Sequence, residues 1–77
     1  MKIETIIMET ISKLSDIDAS EMSLNSSFEE LNIDPLELAE IIMALEDRLF
    51  LTANECMYQA KTVGELAKQL LKQLIRN

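Results

Sequence analysis

Seven apolar residues near the C-terminal end of the sequence, Val63, Leu66, Ala67, Leu70, Leu71, Leu74 and Ile75, recur at i, i+3, i+4, i+7, i+8, i+11 and i+12. Only an α-helix gathers positions so spaced onto one face, so the stretch predicts a helix over 63–76 with an apolar stripe facing a core. Thr62 and Glu65 have the spacing of a capping box at its start. Gly64 falls in the first turn, where glycine costs less than in mid-helix. Lys68, Lys72 and Arg76 recur every fourth residue on the polar face, and the last two suit the negative end of the helix dipole.

The remainder reads the same way. Ile3, Ile6, Ile7, Thr10, Ile11 and Leu14 share one helical face, which predicts a helix over 2–14. Residues 15–34 are rich in Ser, Asp and Asn and lack a period. A loop of that length is not idle in so small a protein, and Ile17, Met22, Leu24, Phe28, Leu31 and Ile33 are expected to anchor it on the core. Asp34 is a good N-cap, Pro35 suits the first helical position, and Glu37 follows three residues after the cap. Asp34 and Glu37 thus have the spacing of an Asp variant of the capping box, opening a helix over 35–50. A short helix over 53–59 fits inside the connector 51–61. The expectation is an all-α fold, a bundle of three longer helices and one short one with a long first loop, forming one domain over 1–77.

Composition narrows the function. The chain has no histidine, one cysteine and a formal charge of −7. An internal disulfide and a cysteine-based zinc site are therefore excluded, and the commonest general base is missing. Net negative charge argues against nucleic acid and for a basic partner surface. The longest early apolar run is Ile6-Ile7-Met8, too short for a signal peptide or a spanning helix, which predicts a cytoplasmic protein with no membrane association. A monomer is the expected state. The charge is also uneven. Residues 14–60 hold eleven acids against Arg48 alone, whereas residues 61–77 are net basic. A central acidic block between neutral and basic ends creates a local field able to steer a basic partner.

The acidic block surrounds a helix with two apolar faces. At about 100° per residue, Leu38, Ile41, Ile42, Leu45 and Leu49 fall in one arc and face the core. Leu36, Ala39, Met43 and Phe50 fall in a second, nearly opposite arc, flanked by Glu40 and Asp47 on one side and Glu46 on the other. An apolar stripe rimmed by acids has the make-up of a transient docking surface, and methionine adapts to varied partners. The competing reading buries the stripe under the loop or the short third helix.

Other constellations are weak. Asp16, Asp18 and Ser20 resemble the start of a calcium loop, but Glu21 stands where glycine is required and Ser27 where glutamate is. Glu29-Glu30 and Glu46-Asp47 are surface charge on this reading, and Cys56 is a part-buried structural thiol. No catalytic or metal-ligating residue is expected.

The stretch from Ser27-Phe28-Glu29-Glu30-Leu31 through Asp34-Pro35-Leu36-Glu37-Leu38 to Met43-Ala44-Leu45-Glu46 resembles the acyl carrier protein family. The length, the long first loop, the short third helix and the Thr62-Val63 start of the last helix extend the likeness to nearly the whole chain. The resemblance implies a four-helix carrier fold, a carrier rather than an enzyme, and a second helix that docks on basic patches of acyl-transfer or condensing enzymes. Leu36, Glu37, Ala39, Glu40, Met43, Glu46 and Asp47 are the partner-binding candidates.

That family carries 4′-phosphopantetheine on the serine of an Asp-Ser-Leu triplet, and here the triplet is Asp34-Pro35-Leu36. Proline has no hydroxyl, so no phosphodiester can form at this position. It is also preorganised for the first helical turn, so the change removes the arm without harming the helix. Ser12, Ser15, Ser20, Ser23, Ser26 and Ser27 all lie upstream, outside any such triplet. The expectation is a homologue of fatty-acid, polyketide or related biosynthesis that docks through 35–50 and holds no cofactor. Two alternatives stand beside it: a genuine carrier whose serine is altered in this version of the chain, and an unrelated acidic helical adaptor.

Overall fold

The computed structural model describes residues 2–76, the Arg76 side chain excepted, so the contribution of that side chain to the basic row lies outside the described residues. Four α-helices follow in order: α1 Ile3–Ser15, α2 Pro35–Leu49, α3 Glu55–Tyr58 and α4 Val63–Arg76. No strand occurs among the described residues, and the all-α expectation of three longer helices, one short helix and a long first loop holds. The α4 boundaries match the spacing of its apolar residues. α1 is displaced by one residue, α3 is shorter than 53–59, and α2 stops one residue early because Phe50 turns into the left-handed region at φ 55° and ψ 47°.

α1 packs against both α2 and α4, and α3 bridges α2 and α4 at one end. The core is drawn from every element: Ile7 and Ile11 of α1, Ile41 and Leu45 of α2, Met57 of α3, and Val63, Leu66 and Leu70 of α4 are all fully buried. Thr10 is the one polar residue in the buried core among the described residues, and its hydroxyl is satisfied, whereas the buried Ser15 Oγ has no partner. Thr10 Oγ1 donates to Ile6 O at 2.7 Å and accepts from Arg48 at 3.2 Å. Arg48 also pairs with Glu9 at 3.1 Å, a half-exposed ion pair of small energetic worth. The sole base of the acidic block is therefore directed toward α1.

The long loop is ordered by backbone pairing rather than by a period of its own. Phe28 N–H donates to Lys61 O at 2.9 Å, Val63 N–H to Ser26 O at 3.1 Å, and Gly64 N–H to Leu24 O at 2.8 Å. A short 3-10 turn, Ala19–Glu21, interrupts the loop, with the Asp18 carboxylate capping it through Ser20 N–H at 3.0 Å. Bonds from the Ser20 N–H, then from its hydroxyl, hold the Asp18 carboxyl below its ordinary range. That carboxylate serves the turn, and no group of three or more His, Cys, Asp or Glu residues suited to a metal ion occurs among the described residues.

Several expectations about burial need correction. Met22, Phe28 and Ile33 do anchor the loop, and Ile17 and Leu31 pack against the core, but Leu24 is exposed. Leu14, Leu71 and Ile75 are exposed as well, although their spacing matches that of buried neighbours. In a bundle this small the edge of each stripe finds no helix to cover it. Cys56 is exposed rather than part-buried, since α3 is a single turn that gives its inward position to Met57.

Candidate docking site at the second helix

The approach to α2 is built from short reciprocal bonds. Ser27 Oγ accepts from Glu30 N–H at 3.0 Å, and the Glu30 carboxylate accepts from Ser27 N–H at 3.1 Å, the capping-box exchange closing a turn instead of a helix. The Ser27 N–H, and secondarily its hydroxyl, hold the Glu30 carboxyl below its ordinary range. Asn32 adopts φ 59°, a conformation its short side chain tolerates, and Ile33 N–H returns to Phe28 O at 2.8 Å. With Phe28 and Ile33 both buried, the chain is delivered to Asp34 in one direction.

Asp34 Oδ1 accepts from Glu37 N–H at 2.7 Å, and Pro35 takes the first helical position. Only this half of the expected Asp34–Glu37 box is present among the hydrogen bonds of the described residues; the return bond from Glu37 to Asp34 N–H is not. Replacing Asp34 with alanine is expected to lower the unfolding free energy by about 1 kcal/mol. Urea denaturation monitored by helicity measures this, with an unchanged midpoint counting against the cap. Beside Pro35 lies an open groove of about 580 Å³, with Phe28, Ile33 and Leu38 among its apolar lining and Tyr58 and Lys61 on the α3 side.

The two faces of α2 separate as the spacing predicts. Leu38, Ile41, Ile42 and Leu45 are buried and Leu49 packs against them. On the other face Leu36 is 74% exposed and Met43 is 59% exposed, with Ala39 half-buried between them. The reading in which loop or third helix covers this stripe therefore fails. Glu40 and Asp47 are exposed along one side of it, and Glu37 is half-buried. Glu46 has a structural engagement that spacing did not reveal. Its carboxylate accepts from Ala53 N–H at 2.8 Å, drawing the side chain toward the α2–α3 connector. Phe50, beyond the helix end, is 93% exposed and is not among the partner-binding residues the resemblance implies; its place in the second arc of the sequence is the signal that could have found it.

A four-helix bundle whose long first loop is stitched to the last connector, and so presents a capped acidic helix, has the build of a small helical carrier protein. Residues 5–70 match the family described as "Phosphopantetheine attachment site". An acyl carrier protein of Chlamydia caviae is 40% identical over 68 residues, covering 86% of this chain and 88% of the relative. One from Streptococcus pneumoniae is 38% identical over 72 residues, covering 94% and 90%. The chloroplastic acyl carrier protein 4 of Arabidopsis thaliana is 32% identical over 76 residues, covering 88% of this chain and 56% of the relative. The chain belongs to the acyl carrier protein family, whose members are carriers rather than enzymes and take 4′-phosphopantetheine as their group. The unrelated adaptor is thereby set aside. Among the described residues, no helix is long and apolar enough to cross a membrane.

Proposed function

We propose that this chain is an arm-free acyl carrier protein homologue, one cytoplasmic and monomeric domain over 1–77, that docks on biosynthetic enzymes through α2. The carrying observation is the exposed stripe of Leu36, Ala39 and Met43 flanked by Glu40 and Asp47, on a helix whose opposite face is fully committed to the core. Glu37 and Glu46 add to the acidic rim. A partner of matching chemistry has a basic patch around a shallow apolar centre, as an acyl-transfer or condensing enzyme of fatty-acid, polyketide or related synthesis would.

The phosphopantetheine group does not fit the residues at the start of α2. Pro35 takes the position of the family's serine, and positions 34–49 contain no serine or threonine, so the helix offers no hydroxyl for a phosphodiester. Ser27 borders the same groove, but its hydroxyl accepts from Glu30 N–H. The protein is expected to gain no mass when incubated with coenzyme A and a broad-specificity phosphopantetheinyl transferase and then weighed intact. An increment matching the arm would overturn the arm-free reading. Pro35→Ser is expected to load under the same conditions, because the surrounding cap and acidic helix are retained. Failure of that variant would count against a preserved recognition surface.

A further inference from the structure

The end of α2 is closed by a left-handed residue. Phe50 N–H returns to Glu46 O, and Leu51 N–H reaches the same carbonyl at 3.2 Å, the six-residue wrap of a Schellman-type terminus. This reversal directs Leu51 into the core, where it is 8% exposed, and leaves Phe50 outside at 93%. The turn therefore needs a positive φ at position 50 but makes no use of a ring there. Glycine or asparagine would satisfy it more cheaply. Asp16 and Asn32, the other non-glycine residues at positive φ among those described, are of the short polar type that tolerates it. A bulky residue in this region is an outlier. Phe50 is thus unfavourable twice over, in backbone conformation and in full exposure of an aromatic ring, and no contact within the fold offsets either. An aromatic ring that the fold does not require, held on a backbone conformation that disfavours it, points to a role at a surface.

We propose that Phe50 is an aromatic anchor of the docking face, extending it beyond the helix to a protein partner whose basic patch pairs with Glu40 and Asp47 and contains an apolar socket for the ring. The inference rests on the docking reading of α2. Phe50 directly follows the last residue of that helix and lies three residues after Asp47, so it adjoins the C-terminal end of the docking face. Aromatic residues are enriched at interface centres, where burial of one ring contributes more than most polar contacts.

The test uses the full chain, Phe50→Asn and Phe50→Gly, with a purified condensing enzyme of Streptococcus pneumoniae fatty-acid synthesis as probe. Both variants are expected to raise the unfolding midpoint by about 4 °C through relief of the left-handed strain. Both are also expected to weaken binding by about tenfold or more. A lowered midpoint would show that the fold itself holds the ring and would overturn the inference. Binding unchanged at position 50 but lost in the Glu40→Lys, Asp47→Lys variant would overturn this inference alone. Absence of binding by the unaltered chain would overturn the docking reading, and the anchor with it.

Discussion

Replacing Glu40 and Asp47 with lysine is expected to reduce affinity for a basic partner enzyme by about 100-fold at low salt, with helicity unchanged. Both side chains are exposed, and no hydrogen bond or ion pair within the described residues involves them, so their removal costs the fold no contact. A lysine at position 47 lies near the C-terminal end of α2, where positive charge is favoured by the helix dipole. Binding responds differently, because two reversals move the local charge by four units within a block where Arg48 already faces Glu9. Steering is screened over a Debye length of about 10 Å at 0.1 M salt, so the loss falls mainly on the association rate and shrinks as salt rises. Surface plasmon resonance at two ionic strengths, with circular dichroism as control, measures both parts. Retained affinity at low salt would remove α2 as the docking face.

Gly64→Ala is expected to destabilise the protein by about 2 kcal/mol, although helix propensity alone argues for a small gain, below the roughly 1 kcal/mol of a helix interior. A Cβ built on Gly64 would lie 2.8 Å from Leu24 O, closer than carbon and oxygen tolerate, and the obstructing atom is backbone. That carbonyl also accepts the Gly64 N–H at 2.8 Å, so relief of the clash stretches a bond joining the long loop to α4. The unfolding midpoint should fall by about 10 °C. A rise instead would mean that the loop yields and propensity dominates.

The two results test different parts of what was legible. The stripe of α2 could be read from residues because a helix of that length has a fixed angular step, and Leu36 and Met43 then fall opposite Leu38 and Leu45 whatever else the chain does. Glu46 and Phe50 were less legible. The first is turned toward Ala53 N–H by a connector with no period, and the second is placed by a left-handed residue that ends the helix one position early. Burial at the margins of α1 and α4 was not legible either. Leu70 and Leu71 are equally apolar, yet Leu70 is fully buried and Leu71 is half-exposed.

The sequence by itself determined the four helices, the acidic block, the second face of α2 and the lack of a hydroxyl at position 35. Periodicity, capping residues and side-chain chemistry are local properties and survive without knowledge of the fold. Tertiary structure decided which apolar residues are left outside, why residue 64 is glycine, and that Phe50 stands free in a strained turn. Those outcomes depend on which backbone approaches which, here Leu24 against Gly64 and Leu51 turning inward after Glu46. Such distances are set only when all four helices and the long loop close on one core.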